Sequence, residues 1–169
     1  TIVEFGMGIN IVLAMGLEAV GGDEVDGYLT PDLQEIRIDQ HSFLHMPQRC
    51  RFTLAHECGH VVLHPRVYTE VARGLTLAQY RDLMANLDQR ELGWIEYQAN
   101  CFAGHMLVPS KHLKREFEAV REQLRIDTPV GRGDLEAIVT ELRPKFNVSA
   151  AVLNIRCVND GLVVSDAPR

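Results

Sequence analysis

The stretch that decides the fold is RFTLAHECGHVVLH, residues 51–64 of a chain of 169 residues. It contains the pattern His-Glu-x-x-His at His56, Glu57 and His60. On a helix, residues four positions apart lie one turn apart on the same face, so both imidazoles can bind a single cation. Glu57 projects beside them, about 100° around the helix from His56. The pattern therefore predicts a metal-binding helix that can activate a water molecule.

The opposite side of this helix is predicted to be buried. With about 100° per residue, that side carries mostly apolar residues: Leu54, Ala55, Cys58, Val61 and Val62. Gly59 costs roughly 1 kcal/mol of helix propensity relative to Ala, which indicates that another backbone approaches closely there. We expect the helix to run from about Gln48 to His64, because Pro47 suits the first turn and Pro65 stops the helix.

The composition favours a globular protein. Hydrophobic residues make up 46% and charged residues 24% of the chain, and no apolar run approaches the ~20 residues that cross a bilayer. A net charge of −6 disfavours direct nucleic-acid binding, since phosphate contacts need a basic surface. The four cysteines form no Cys-x-x-Cys pair, which fits reduced thiols. We therefore expect a cytoplasmic protein that contacts neither membrane nor nucleic acid directly.

The N-terminal part of the chain is predicted to form a small antiparallel sheet. Three strands are expected, because apolar runs and alternating patterns occur between turn signals: residues 9–15, 25–29 and 35–39. A connecting loop is expected from His41 to Pro47. The predicted fold class is α+β, with the sheet packed on the His-Glu-x-x-His helix.

The remainder of the chain is predicted to be helical. Helices are expected after Thr76, over residues 91–107, and after the capping residues Ser110, Asp134 and Ser149. We expect one domain over residues 1–169, with three parts: a sheet region (1–47), metal-site helices (48–109) and a helical C-terminal part (110–169). The segment 134–161 has the outline of a helix-turn-helix, but its second helix offers only Arg156 as a base, so packing is the better interpretation.

Two histidines do not complete a catalytic zinc site, which normally has three protein ligands and a water. His64 lies about 12 Å along the helix axis from His56, too far to share its metal, and we expect it to line the helix end or a cleft. Glu96 is the favoured third ligand, with Glu70 and Glu91 as rivals.

Small residues support the choice of Glu96. Ala99 and Ala103 lie on the same helix face as Glu96, so this helix can pack closely against the region of Gly59. Asn100 lies one turn beyond Glu96, where its side chain can hydrogen bond the outward nitrogen of a ligand histidine and fix its tautomer. Candidates for stabilising an oxyanion stay open among several residues: Tyr28, Tyr68, Tyr97, His41 and His45.

These segments together resemble the ImmA/IrrE family of metallopeptidases. The resemblance rests on residues 51–64, on EYQANCFA at 96–103 and on MLVP at 106–109, and extends more loosely to 26–29 and 146–149, so it covers most of the chain. It implies a compact zincin-like domain in which His56, His60 and Glu96 bind Zn²⁺ and Glu57 is the general base. Another divalent metal such as Mn²⁺ is the alternative cofactor. Two departures from the family pattern, Cys58 and His105, lie away from the metal face, and His105 is about 180° around its helix from Glu96.

The resemblance also implies a biological role. Such proteins cut or otherwise inactivate a repressor-type DNA-binding protein, often in a stress response, and members with additional N- or C-terminal domains are common. The substrate is expected to lie extended between sheet and helix and to pair with an exposed strand edge. The alternative is a metal-stabilised binding module that inactivates a transcription factor without hydrolysis, although the intact Glu57 favours catalysis. The sequence does not predict the oligomeric state.

Overall fold

A computed structural model of the chain describes residues 2–15, 17, 26–68, 75, 79 and 89–164. The fold is α+β, as the sequence predicts. The chain divides into two compact units, Thr1–Ala103 and Gly104–Arg169, and each unit has its own buried core. The single domain over residues 1–169 stays a prediction.

The first unit begins with a short helix and three strands, followed by the helices that form the site. In chain order these are α1 (Ile2–Met7), β1 (Asn10–Ala14), β2 (Gly27–Leu29), β3 (Glu35–Asp39), α2 (Gln40–His45), α3 (Pro47–Leu63) and α4 (Gln89–Leu107), whose residues from Gly104 onward belong to the second unit. The strands and the two long helices match the predicted elements to within a few residues. The helix expected after Thr76 lies largely outside the described residues.

The three-stranded sheet has the order β1-β3-β2 and is mixed rather than wholly antiparallel. β2 pairs antiparallel with β3, with Tyr28 opposite Arg37, whereas β1 pairs parallel with β3, with Val12 opposite Arg37. The antiparallel expectation is therefore wrong for β1. Alternation of residue types reports which face of a strand is buried but carries no information on the direction of its neighbour.

The predicted loop between the sheet and α3 is also wrong, because residues 40–45 form α2. The Asp39 side chain caps this helix, since its Oδ1 accepts a hydrogen bond from the Ser42 backbone N–H at 3.0 Å. The Ser42 hydroxyl in turn donates to Asp26 Oδ1 at 2.6 Å. Asp39 both ends β3 and caps α2, and the strand pattern in the sequence predicts only the first of these roles.

The sheet packs against the back of α3. One buried cluster joins Leu29, Ile36 and Ile38 of the sheet to Cys50 and Cys58 of the helix. The predicted apolar face is confirmed for most of its members, but Val62 is 52% exposed. Val62 lies in the last turn of a 17-residue helix, and strands of three to five residues cover only part of its length.

Helices α3 and α4 approach each other closely at Gly59. A Cβ atom at Gly59 would lie 3.1 Å from Ala99 Cα, 3.2 Å from the Ala99 carbonyl oxygen and 3.2 Å from Phe102 Cβ. Ala99 and Ala103 are fully buried. The prediction from Gly59 and the small residues of α4 is therefore confirmed.

The second unit contains three helices around a separate core. These are α5 (Ser110–Gln123), α6 (Arg132–Phe146) and α7 (Ala150–Asn159). The core is formed mainly by apolar residues at helical spacing, among them Leu113, Phe117, Ile138, Leu142 and Leu153. Ser149 caps α7 as predicted, since its hydroxyl accepts from the Val152 N–H.

The predicted cap of α6 is one turn out of place. This helix begins at Arg132 after the N-cap Gly131, and Asp134 accepts a hydrogen bond from the Gly131 N–H at 3.4 Å. Asp134 thus occupies the third helical position, where its carboxylate accepts from the N-cap backbone N–H as in one half of a capping box, rather than the cap itself. Asp is favourable at both positions, so the sequence signal is ambiguous by one turn.

The one basic residue of α7, Arg156, is buried at 2% exposure. Its Nη2 lies 2.9 Å from Asp160 Oδ1 and donates to Ser110 Oγ at 2.7 Å. A buried guanidinium is unable to reach a phosphate group. This agrees with the interpretation of the segment as packing rather than as a DNA-reading helix.

The close approach at Gly59 predicts a specific sensitivity to substitution. Gly59→Ala should lower the free energy of unfolding by about 1–3 kcal/mol, because the new Cβ meets the backbone of α4 rather than a mobile side chain. Urea unfolding followed by circular dichroism measures this change.

Gly93→Ala is the matched control, since it lies within α4 and its Cβ would meet nothing within 4 Å. It should leave stability unchanged or raise it by up to about 1 kcal/mol. Equal stabilities of the two variants would contradict the close approach.

Candidate metal centre

Two helices bring together the predicted ligand atoms. His56 and His60 lie on α3 with their Nε2 atoms 2.9 Å apart. Glu96 of α4 has Oε2 at 3.1 Å from His56 Nε2 and Oε1 at 3.5 Å from His60 Nε2. Among the residues that the structure describes, these three form the one His/Cys/Asp/Glu group with ligand atoms close enough to hold a metal ion.

The spacing of these atoms fits a metal ion. Ligand atoms at about 2.0–2.2 Å from a tetrahedral metal are about 3.3–3.6 Å from one another. The observed separations of 2.9, 3.1 and 3.5 Å are close to these values. Two imidazoles and one carboxylate leave a fourth position for water.

The outward nitrogen of His56 is held by Asn100, as the sequence predicts. His56 Nδ1 lies 3.1 Å from Asn100 Oδ1, and because an amide oxygen only accepts, the imidazole N–H must be at Nδ1. When the ring is neutral, as metal binding requires, the Nε2 lone pair faces His60 and Glu96. The geometry thus presents the nitrogen that a metal requires.

Burial and charge separate the pKa values of the two histidines. Burial acts to lower the pKa of His56, but the hydrogen bond to Glu96 and the charges of Glu57 and Glu96 outweigh it and raise the pKa above its usual value. Burial lowers the pKa of His60 to about 4 despite the nearby charge of Glu96. His60 is therefore a neutral ring, with a lone pair free for a metal, near pH 7.

Glu57 is buried beside the ligand group and is held by the sheet. Its side chain is 7% exposed, and its Oε2 accepts a hydrogen bond from the Leu29 backbone N–H at 3.0 Å. Burial raises the pKa of Glu57 to about 7, although the positive charge of His56 and the Leu29 N–H act in the opposite direction. A carboxyl group in this range can both take and return a proton near neutral pH.

The chain was compared with known proteins. The model of the peptidase family M78, described as "IrrE N-terminal-like domain", matches residues 7–158. The chain belongs to this family. The resemblance to the ImmA/IrrE family is therefore confirmed. The family suggests a metallopeptidase, and the His-His-Glu group of the described structure could bind a metal ion.

A solved structure agrees with the IrrE-like fold. A Mycobacterium tuberculosis transcriptional regulator superposes with a TM-score of 0.58 at 20% sequence identity. The superposition covers 92% of this chain and 45% of that protein, so the chain spans less than half of its length. No protein with curated annotation matches the chain in sequence.

Within the described ranges, none of the helices combines the length and the apolar character that a membrane span needs.

The other candidate residues of this IrrE-like site differ in their distance from the ligand group. Glu91 lies in the first turn of α4 outside the ligand group, and Glu70 lies outside the described residues. Tyr68 is buried with its ring centroid 6.0 Å from that of His60. Tyr97 is 55% exposed, and its ring stacks on Trp94 with the centroids 5.5 Å apart. Of these two tyrosines, Tyr68 is thus the one whose ring lies beside a histidine of the candidate ligand group.

The remaining candidates do not contact the ligand atoms in the described structure. Tyr28 is on β2, where Arg37 Nη1 donates to its hydroxyl at 3.4 Å. His41 and His45 lie on α2 and contact each other, with ring centroids 4.7 Å apart. His105 pairs with Arg156 at 2.7 Å in the second unit. His105 thus lies outside the candidate ligand group of the described residues.

The sequence predicts His64 to line the helix end or a cleft and gives it no contact with His60. His64 is outside the ligand group, as expected, but its Nδ1 lies 3.2 Å from His60 Nδ1. The signal was present in the sequence, because His60 and His64 have the same four-residue spacing as His56 and His60.

The negative charge of Glu96 is predicted to contribute strongly to the metal affinity of the site. Glu96→Gln keeps the size of the side chain but removes the charge, so the affinity for a divalent cation should fall by more than about 100-fold, beyond the usual effect of a residue that only supports a ligand. Competition with a chromophoric chelator measures the affinity.

Glu91→Gln is the matched control, because it makes the same change on the same helix and also tests the rival ligand. It should bind metal as tightly as the wild type. A loss of affinity in Glu91→Gln with full binding in Glu96→Gln would reverse the assignment.

Proposed function

We propose that the chain is a zinc-dependent endopeptidase in which His56, His60 and Glu96 bind Zn²⁺ and Glu57 is the general base. The observation that carries the proposal is the convergence of two imidazole Nε2 atoms and one carboxylate beside a second, buried carboxylate. Three protein ligands with an open position are typical of catalytic zinc, whereas structural zinc sites have four. The IrrE-like family membership supports a peptidase reaction.

The chemistry follows from the positions of these groups. Zinc bound here would lower the pKa of a bound water to about 7 and stabilise negative charge on the oxygen of the scissile peptide. Glu57 would accept a proton from the water that attacks the peptide carbonyl and would return it to the leaving nitrogen. The Leu29 N–H holds Glu57 Oε2, so the second oxygen, Oε1, is the one that exchanges the proton.

The edge of β2 is the proposed place for the substrate backbone. β2 is an edge strand of the described sheet, and the Leu29 N–H points away from β3 to Glu57. A substrate peptide that adds to this edge would therefore lie next to the catalytic carboxylate. The Leu29 N–H is already used, so the pairing would rely on the carbonyl groups of β2 and on the backbone N–H of Gly27.

The proposed substrate is a repressor-type DNA-binding protein. The family resemblance supports this choice, and the solved relative is titled a transcriptional regulator, which fits a protein of a regulatory system. The negative charge of the chain and the burial of Arg156 argue that the chain recognises a protein rather than DNA. A repressor substrate implies a cytoplasmic, stress-related activity, in keeping with four free cysteines.

Glu57 provides the direct test. Glu57→Gln should lower the rate of substrate cleavage by about 100- to 10,000-fold, because an amide does not accept the water proton. Zinc content should be unchanged, and the fold should be retained because the amide oxygen can still accept from Leu29. Mass spectrometry of the substrate and elemental analysis of the protein measure the two effects.

The substrate for this experiment can be captured with the Glu57→Gln variant, which should bind but not cut it. Fragments that appear with wild-type protein and disappear with a chelator are expected. An intact substrate in a stable complex with the zinc-loaded wild type would instead favour the binding module without hydrolysis. Cleavage at the wild-type rate by Glu57→Gln would overturn the mechanism.

A further inference from the structure

His64 is buried at the end of α3, next to a proposed ligand. It is 8% exposed and lies one helical turn after His60, with its Nδ1 3.2 Å from His60 Nδ1. The two ring centroids are 5.3 Å apart. A buried imidazole in contact with a ligand imidazole must have defined hydrogen positions, because two bare nitrogens or two N–H groups would repel each other.

Gln98 of α4 determines the hydrogen position on His64. The Oε1 atom of Gln98 lies 2.9 Å from His64 Nε2. An amide oxygen only accepts hydrogen bonds, so His64 must carry its hydrogen on Nε2. In a neutral imidazole the other nitrogen, Nδ1, is then a bare acceptor.

The bare Nδ1 of His64 in turn determines the hydrogen position on His60. His60 must donate its Nδ1–H to His64, which leaves the His60 Nε2 lone pair directed at His56 Nε2 and Glu96. The opposite tautomer of His60 would place a hydrogen where a metal must bind. The buried His60 therefore depends on a protein partner for the tautomer that a metal requires.

We propose that His64 and Gln98 are positioning residues that fix the tautomer of His60 and thereby set the metal affinity of the site. The proposal rests on the metal centre of the proposed function. Three alternate residues of α4 then contribute to the site. Glu96 supplies a ligand, Gln98 orients His64 and Asn100 orients His56. Each ligand histidine thus receives its tautomer from an amide of α4, directly for His56 and through His64 for His60.

The test compares two variants of nearly equal shape. His64→Asn keeps an acceptor oxygen near the position of Nδ1, whereas His64→Leu removes the acceptor. Zinc affinity, measured by competition with a chromophoric chelator, should fall by about 10- to 100-fold in His64→Leu and stay close to the wild type in His64→Asn. His45→Leu, which removes an exposed histidine of α2, should have no effect.

A double-mutant cycle tests the pathway from Gln98. Gln98→Met should weaken zinc binding less than His64→Leu, because His64 remains. The combination should be no weaker than His64→Leu alone, since Gln98 acts only through His64. If the losses of zinc affinity in Gln98→Met and His64→Leu were additive, Gln98 would not act through His64.

Nitrogen NMR of the metal-free protein gives a readout that is independent of metal and of activity. At mildly alkaline pH, the ring nitrogens of His60 should report a hydrogen on Nδ1 in the wild type and in His64→Asn. In His64→Leu the tautomers should become mixed. A hydrogen on Nε2 of His60 in the wild type would overturn the proposal.

The outcomes separate this proposal from the metal centre itself. A wild type that binds zinc tightly while His64→Leu and His64→Asn bind equally tightly overturns the positioning role and leaves the peptidase proposal intact. Equal losses of zinc affinity in both variants would also overturn the positioning role. They would show that the site needs the size and shape of His64 rather than a hydrogen-bond acceptor at that position. A wild type without zinc affinity would overturn the metal centre and, with it, this inference.

Discussion

The site depends on the near contact between the backbones of α3 and α4 at Gly59 and Ala99. Glu96 lies one helical turn before Ala99, so the distance between the two helices sets the distance from its carboxylate to the histidines. A larger residue at Gly59 would move α4 outward, and a ligand separation of 3.1–3.5 Å leaves little tolerance. Small side chains are therefore as necessary for the site as the ligands themselves.

Much of this arrangement could be predicted from helical periodicity. The His56/His60 pair, the apolar back of α3 and the face shared by Glu96 and Asn100 all follow from 3.6 residues per turn. The parallel pairing of β1 could not be predicted, because strand direction depends on how the chain returns to the sheet. The Leu29–Glu57 hydrogen bond was also missed, since a backbone N–H leaves no mark in the sequence.

Two errors have a local physical cause. Val62 belongs to the apolar arc of α3, but periodicity gives the direction of a side chain and not the extent of the sheet that would cover it. The sequence predicts a loop from His41 to Pro47, yet Asp39 supplies the cap that starts a helix at Gln40. The exposure of Val62 and the helix at residues 40–45 thus both depend on neighbouring elements of the structure.

The hydrogen bond from Leu29 to Glu57 has a consequence for how the protein tolerates substitution. The contribution is made by the peptide group, so every amino acid except proline can provide it at position 29. The side chain at this position packs in the core, whereas its backbone N–H positions the carboxylate that we propose as the general base. Proline at position 29 would therefore remove the hydrogen bond to Glu57 while every polar side chain of the proposed site stays the same. Substitutions of the polar residues alone would not detect this dependence on the backbone.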